Sequence, residues 1–596
     1  MPTDLAVRYW KKRWNNDNFL VDWTATYFGQ TYLLLPENYD PAKLEAKFPE
    51  FEATYIPEES KIKFRLQSLK DVYLRSSHLV NNRTATGNIK NVYIFSLIGF
   101  LILVIASINY TILSTARAST RSKEIGIRKV TGAGRKTLVR QILGESIITS
   151  FISLPLALLL AHLLLPSVNQ LFRKDLAFQL TENWHFIAGF ILLTLLVGLM
   201  SGSYLAFYLS SFKPVDVLKS KINTGINKSV YQKILITIQL VIFIVLLLGT
   251  GIIFRQIRYV QNKDMGFNRE GLMTIYHDDD EFRKRYFSFK NEVIKHPGVL
   301  NVSATMFGPP YNGGMQWEIP LKDNPDEIVR VEGLAVDFNY IETLEFTLLA
   351  GRAFSEEYGS DSSAIILNET AVKKLGIDDP VGEVIQDRTV IGVIKDFHLH
   401  TFHSEIMPMV IDIMDMKYSH DVVIRIDPEN VSNTIAFIEE KWKEFAPDSP
   451  FEYSFFDDAL EALYDDEKRF GKIISLSTLI AVFIACIGMF GLSLFIGEQR
   501  IKEIGIRKVF GSSSTQVVML ILKQYMLMVL IANLVAWPVA WYVMNRWLQN
   551  FAYRTKFEIW LFFAVAALSM IIVLATITFQ TVKAAQTNPS ETLKFE

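Results

Sequence analysis

Long runs of apolar residues alternate with polar segments along this chain. Seven windows contain no Asp, Glu, Lys or Arg, and they are residues 92–114, 146–172, 186–212, 234–254, 473–497, 524–545 and 559–582. Each window exceeds the roughly 20 residues that an α-helix needs to cross about 30 Å of hydrocarbon. The pattern therefore predicts seven transmembrane helices.

A long polar segment, residues 255–472, separates the fourth and fifth windows. Within it, residues 272–276 have a strand pattern, and residues 281–295 have a helix pattern with its apolar residues on one face. Asn368 is predicted to cap a short helix that ends at Gly376. Further strands are predicted at 364–367, 389–394 and 422–426. The predicted fold class is a multi-pass α-helical membrane protein, with seven transmembrane helices and α+β extracytoplasmic domains.

One twelve-residue phrase occurs twice, at residues 121–132 and 500–511, and the two copies differ at only two positions. Each copy follows an apolar window. Residues 213–219, after the third window, are echoed by residues 588–594 at the C-terminus. A phrase that recurs in the same context indicates a duplicated unit. The chain is therefore predicted to contain two related membrane repeats.

The duplication divides the chain into five predicted segments. They are the C-terminal remnant of a first extracytoplasmic domain (1–90), a first three-helix membrane repeat (91–220), a leading transmembrane helix (233–254), a second extracytoplasmic domain (255–472) and a second three-helix membrane repeat (473–596). The first repeat lacks the leading helix and the first part of the domain that precede the second, so we expect Met1 to be an internal methionine of a longer ancestral chain. An apolar strand expected at residues 32–35 would then have an exposed edge, in a poorly packed segment.

Charge and composition restrict the function. The short loops after the first, third and fifth windows are rich in Lys and Arg, which places them in the cytoplasm and the long polar segments outside. The formal net charge of −1 gives no support for a nucleic-acid partner. The single cysteine, Cys486, lies in the fifth window, so no disulfide is expected outside the membrane. The windows lack the buried ionisable groups typical of ion-coupled transporters, which disfavours that class.

The duplicated phrase is the candidate functional site. Binding to lipid headgroups explains its basic residues, but docking of a cytoplasmic partner also explains why glutamate, isoleucine and glycine recur in the same frame. In this interpretation Ile125 and Ile127 supply apolar contacts. Glu124 and Arg128 fix the register, and Gly126 permits close approach. The predicted docking residues are Lys123, Glu124, Ile125, Gly126, Ile127, Arg128, Lys129 and Gly132 in the first copy and Lys502, Glu503, Ile504, Gly505, Ile506, Arg507, Lys508 and Gly511 in the second.

The phrase Lys-Glu-Ile-Gly-Ile-Arg-Lys after a span resembles the signature of the FtsX/MacB-type permeases of bacterial ATP-binding-cassette (ABC) transporters. Residues 336–340, 351–355, 366–369 and 391–397 are similar to that family's periplasmic core domain. The resemblance implies a permease subunit in the bacterial plasma (inner) membrane, with a cytoplasmic C-terminus and a role in export or mechanotransmission. The implied partner is a cytoplasmic ABC ATPase dimer that binds the ATP. Neither a cofactor nor a catalytic activity of this chain is expected, since residues 132–137 lack the Gly-Lys-Ser/Thr of a phosphate loop.

Several alternatives stay open from the sequence. The chain could instead regulate a periplasmic enzyme such as a cell-wall hydrolase, whereas a seven-span receptor is disfavoured by the duplication. Membrane lipid and a periplasmic adaptor or substrate protein are further expected partners. No metal site is predicted: His398, His400 and His403 are assigned to a surface loop, and residues 278–280 to a solvated turn and a helix cap.

Overall fold

The computed structural model describes residues 31–56, 62–76, 79, 87–116, 124–125, 127–172, 175–178, 184–210, 225–310, 315–322, 324, 326–399, 402, 405–499, 506–507 and 509–586. Residues 1–93 and residues 94–596 form two compact parts.

In the first part, short helices follow an extended segment. They are α1 (Pro41–Glu45), α2 (Phe48–Tyr55) and α3 (Leu69–Arg75). The prediction of a strand at residues 32–35 is wrong, because this segment has no regular structure and Leu33 and Leu34 are exposed. A lone strand leaves its backbone groups without ladder partners, and none of the described residues supplies a neighbouring strand here.

Seven long apolar helices confirm the predicted spans. They are α4 (Ile89–Ala116), α5 (Arg135–Phe172), α6 (Trp184–Ser210), α7 (Gly225–Gln261), α13 (Asp465–Gln499), α14 (Ser514–Leu548) and α15 (Ile559–Gln586). Most of them extend beyond the charge-free windows, because a helix continues into polar residues where its ends leave the hydrocarbon. Helix α5, for example, begins at Arg135, eleven residues before its apolar window.

The membrane helices pack in two ways. Helix α7 packs against α13, α14 and α15, and together they enclose a core that includes Leu240, Phe243 and Ala536. Helices α5 and α6 instead pack chiefly on each other through small residues. A Cβ on Gly198 of α6 would lie 2.8 Å from the Cα of Ile147, so the two backbones are in close contact.

The polar segment between α7 and α13 forms an eleven-stranded mixed sheet with helices against it. Its strands are β1 (Leu272–Tyr276), β2 (Val299–Thr305), β3 (Met315–Pro320), β4 (Ile328–Val336), β5 (Leu348–Gly351), β6 (Ala364–Asn368), β7 (Val384–Ile385), β8 (Arg388–Ile394), β9 (Met409–Ile413), β10 (Asp421–Ile426) and β11 (Tyr453–Phe455). The order along the sheet is β11-β1-β10-β2-β4-β9-β6-β8-β5, with β3 paired to β4 and β7 to β8. The pairs β4/β9 and β6/β8 are parallel, and the other pairs are antiparallel.

Helices also lie within this sheet domain. They are α8 (Asp280–Val293), α9 (Tyr340–Thr343), α10 (Glu369–Leu375), α11 (Val431–Phe445) and α12 (Phe456–Leu463). Asn368 caps α10 by accepting from the backbone N–H of Ala371, and Gly376 ends it with a φ of 67°. Both predictions are confirmed. The apolar face of α8 packs on Trp442 of α11 through Phe282 and Phe289.

The sheet domain packs directly on the ends of the membrane helices. Val260 at the end of α7 belongs to the hydrophobic core of the domain. Gln256 of α7 donates to the carbonyl of Tyr553, in the loop between α14 and α15, at 2.8 Å. Lys263 lies 3.0 Å from the centre of the Tyr553 ring. The loop after α14 is therefore packed against the base of the sheet domain.

Candidate docking site

The two copies of the duplicated phrase, residues 121–132 and 500–511, are here named the first and second docking segments. Each lies between two spans at the end of the membrane helices opposite the sheet domain: the first precedes α5 and the second precedes α14. Of the predicted docking residues, the structure describes Glu124, Ile125, Ile127, Arg128, Lys129 and Gly132 in the first segment and Ile506, Arg507 and Gly511 in the second. The predicted residues Lys123, Gly126, Lys502, Glu503, Ile504, Gly505 and Lys508 lie outside the described residues.

Both docking segments end in the same turn. Gly132 has a φ of 100° and Gly511 a φ of 91°, in the left-handed region that favours glycine. In the first segment the N–H of Ala133 donates to the carbonyl of Arg128 at 2.8 Å, and the corresponding bond in the second segment measures 2.9 Å. This pattern is typical of a helix that ends at a glycine. The final glycine of each phrase therefore has a backbone role that the sequence interpretation did not assign to it.

One face of the first docking segment packs inside the chain. Ile125 is buried in a small cluster with Leu138 and Ile142 of α5 and with two residues of α6. The Lys129 ammonium donates to the carbonyl of Ser210, the last residue of α6, at 2.7 Å. Burial, together with a neighbouring arginine, lowers the pKa of Lys129. These contacts fix the segment against the beginning of α5 and the end of α6.

The charged side chains of the first docking segment form a chain of hydrogen bonds. Arg128 contacts Glu124 at 2.7 Å and donates to the side chain of Gln141 at 2.8 Å. Gln141 in turn donates to Glu145 at 3.3 Å. A cavity of about 150 Å³ lies next to these hydrogen-bonded side chains, between the segment and α5. Glu124 and Arg128 therefore set the position of the segment relative to α5.

The other face of each segment exposes apolar side chains at corresponding positions. Ile127 and Val130 are exposed in the first segment, and Ile506 and Val509 in the second. The second segment also exposes Phe510, of which 86% is accessible. Exposed apolar side chains that cluster in this way mark interaction surfaces. The exposed apolar residues of each segment, Ile127 and Val130 in the first and Ile506, Val509 and Phe510 in the second, are here named its docking patch.

Elsewhere the described residues offer no competing metal centre. No group of three or more His, Cys, Asp or Glu side chains is positioned to hold a metal ion among the residues searched. The surface-loop prediction is wrong for His398, because this residue is buried against Phe402 and Tyr553. His400 and His403 lie outside the described residues. Asp279 caps α8 by accepting from two backbone N–H groups, which confirms the helix cap predicted at residues 278–280.

Two carboxyl groups of the sheet domain have perturbed acidities. Burial raises the pKa of Asp412 on β9 to about 6, against the opposing attraction of Arg388 at 3.5 Å. Burial likewise raises the pKa of Asp421 on β10 to about 6. Neither group lies near the docking segments, so both bear on the stability of the domain rather than on docking.

Comparison with protein families gives two matches in three segments. The FtsX-like permease C-terminal model matches residues 96–215 and again residues 475–589, and the MacB-like periplasmic core domain model matches residues 240–437. Together with the seven helices, these matches define the class: a multi-pass membrane protein of ABC transporter permease type, with a periplasmic or extracellular domain. The chain belongs to the FtsX/MacB family of ABC transporter permeases, whose FtsX-like members are typically non-catalytic membrane subunits.

Solved structures resemble the sheet domain at low identity. The periplasmic region of MacB from Actinobacillus actinomycetemcomitans is 14% identical, covers 34% of this chain and 97% of its own, and has a TM-score of 0.25. The extracellular domain of the noncanonic ABC-type transporter YknZ from Gram-positive bacteria is 15% identical, with 31% and 97% coverage and a TM-score of 0.23. A domain of a putative permease from Porphyromonas gingivalis is 17% identical, with 32% and 91% coverage and a TM-score of 0.23. No curated protein gives a significant match.

Proposed function

We propose that this chain is the membrane subunit of an ABC transporter and that its two docking segments bind two copies of a separate cytoplasmic ATPase, one segment to each copy. The docking segments and the C-terminus face the bacterial cytoplasm, and the sheet domain lies outside. ATP hydrolysis by the partner then drives export or mechanical work in the sheet domain. The observation that carries the proposal is the docking patch, which recurs in both repeats at the ends of the helices opposite the sheet domain.

The contacts of the first segment favour a protein partner over lipid headgroups. A lipid anchor would present its basic side chains to the membrane surface. Instead, Lys129 is bound to the end of α6, and Arg128 is held by Glu124 and Gln141. The exposed side chains of this segment include the apolar Ile127 and Val130, which are of the kind found in the core of a protein interface. Ile125 is therefore assigned to internal packing, and Ile127 to contact with the ATPase.

Movement at the second segment has a continuous path to the sheet domain. Helix α14 begins directly after this segment with a capping box formed by Ser513 and Gln516. At its other end, the following loop places Tyr553 against Lys263 and His398 of the domain. A shift of the segment along the axis of α14 therefore reaches the domain through packed residues.

Native mass spectrometry of the complex purified from the source cells tests the stoichiometry. We expect two ATPase copies per chain, and one copy or none would contradict the proposal.

Charge reversal gives a functional test, since Glu124→Lys or Glu503→Lys should weaken ATPase attachment while the chain still inserts into the membrane. Lys221→Glu and Lys228→Glu, two basic positions between the third and fourth apolar windows and outside both segments, are the matched controls. Equal damage from the controls would indicate that the segments bind only lipid.

A further inference from the structure

The first helices of the two repeats, α4 and α13, correspond residue for residue. The offset that relates the two docking segments also aligns these helices without a gap and pairs Ile105 with Ile484, Ala106 with Ala485 and Leu113 with Leu492.

The two helices run parallel and in contact. The rings of Phe95 and Phe470 lie 5.3 Å apart towards the sheet domain. Towards the opposite end, a Cβ on Gly491 would lie 2.6 Å from Leu113 Cδ2. Equivalent helices that pair in parallel are related by an approximate twofold axis between them, as in a symmetric dimer.

Asn109 and Gly488 occupy the same position of the two helices and meet at this axis. Asn109 is buried, and its Nδ2 donates to the carbonyl of Ile484 at 2.5 Å. A Cβ on Gly488 would lie 1.8 Å from Asn109 Oδ1. The asparagine side chain therefore fills the space that a side chain at position 488 would need. The next carbonyl of α13, that of Ala485, accepts from Gln239 of α7 at 3.2 Å.

We propose that Asn109 and Gly488 form a complementary pair that specifies which helices meet at the centre of the membrane domain. The first repeat thereby pairs with the second repeat of the same chain, and neither repeat pairs with its own counterpart in another copy. This pairing is independent of whether an ATPase docks.

Rejection of like pairs follows from the geometry. Two copies of α4 would bring Asn109 against a second Asn109, where there is room for one side chain only. Two copies of α13 would bring Gly488 against Gly488, which leaves space unfilled and removes the amide donor between the helices. Asn109 Oδ1 accepts no hydrogen bond from the described residues. A buried amide that is not fully satisfied is typical of residues that select a pairing partner at some loss of stability.

An exchange of the two residues tests the proposal in the full-length protein in detergent. Because the positions are equivalent, Asn109→Gly combined with Gly488→Asn places the same amide in the same space from the other helix. We expect each single variant to lower the Tm by about 5 °C and the double variant to recover most of that loss. Single variants with an unchanged Tm, or a double variant as unstable as the two losses combined, would overturn the proposal.

Cross-linking gives a readout of pairing that overall stability does not. In a Cys486→Ser background, Leu113→Cys and Gly491→Cys place thiols on the two facing helices. We expect oxidation to link them within one chain, and Gly488→Ala to reduce the yield several-fold. The control is Gly99→Ala on α4, where a Cβ would meet no atom within 4 Å. Equal yields in the Gly488→Ala and Gly99→Ala proteins, or cross-linked dimers on a denaturing gel, would overturn the proposal.

Discussion

Helices α5 and α14 occupy equivalent positions in the two repeats, since each follows a docking segment. They are nevertheless buried to very different extents. Of the most apolar window of each helix, 39% is buried in α14 and 0% in α5. Near the docking segments the two agree, since Leu138 and Ile142 of α5 are buried like Val517 and Ile521 of α14.

Further along, the two helices diverge. Ala536 and Ala540 of α14 are fully buried in the core shared with α7, whereas their equivalents Ala157 and Ala161 are not. The same small residues at the same spacing thus form a helix contact in the second repeat only. The repeats share the docking segments and the beginning of the following helix, while burial of the remainder depends on α7.

The largest expected effect compares two segments that are each followed by Pro-Glu-Asn, at residues 36–38 and 428–430. Alignment of these tripeptides pairs Leu34 with Ile426. Ile426 lies in β10 and is fully buried, whereas its counterpart Leu34 in the first part of the chain is fully exposed. We expect Ile426→Asp to destabilise the protein by about 4 kcal/mol or more, because a buried charge has no partner there. Leu34→Asp should change stability by less than about 0.5 kcal/mol. Thermal unfolding of both variants decides, and a large loss in Leu34→Asp would show that this segment is packed as a strand.

A second test compares α14 with α5 directly. Ala536→Leu should destabilise the membrane domain by about 1–3 kcal/mol, because the core against α7 has no room for three extra carbon atoms. Ala157→Leu makes the same change at the equivalent exposed position and should be tolerated. Thermal stability in detergent and in lipid nanodiscs measures both. An equal loss in Ala157→Leu would indicate that the exposed face of α5 is covered in the membrane.

The two docking segments differ at one position of the exposed face, where Phe510 replaces Thr131. Burying a phenylalanine against a partner contributes about 1.5–3 kcal/mol, so Phe510→Thr should weaken ATPase binding at that site about 10- to 100-fold. Thr131→Phe should strengthen the other site. Binding of the purified ATPase to the chain in nanodiscs measures both effects. Ile328→Thr, at an exposed position of the sheet domain, is the control and should leave binding unchanged.

The smallest expected effect concerns Asp412 of the sheet domain. The raised pKa of Asp412 means that the folded state binds more protons than the unfolded state between about pH 4 and pH 6. The stability associated with protonated Asp412 is therefore present at low pH and lost as the pH rises through about 6. We expect Asp412→Asn to raise the Tm by about 5 °C at pH 8 and to leave it unchanged at pH 4. A difference that does not vary with pH would contradict the assignment.

Elements with a clear local pattern were predictable, and these include the strands β1, β6, β8 and β10. Contacts between residues that are distant in the sequence were not predictable. Apolar length gave the seven spans, and side-chain capping gave Asn368 and Gly376. The error at residues 32–35 has the opposite origin, because an apolar pattern predicts a strand only where a neighbour completes its hydrogen bonds. The sequence does not show which residues of the docking segments are buried and which are exposed. Ile125, for example, is buried only because α5 and α6 lie beside it.

The contact of Asn109 with Gly488 was also missed. It was detectable in principle, because asparagine in the first repeat aligns with glycine in the second. Only the packing of α4 on α13 shows that these two positions face each other. The assignment of the docking residues to an ATPase stays a prediction for the experiments above.

The direct continuation of α7 into the sheet domain has a mechanical consequence. Its 37 residues, at about 1.5 Å per residue, make a rigid arm of about 55 Å, so a tilt of about 10° at one end displaces the other by about 10 Å. That displacement is about the diameter of a helix. Since the domain is attached to the membrane through both α7 and α13, small angular changes between these two arms would alter the separation of its two attachment points by several ångströms.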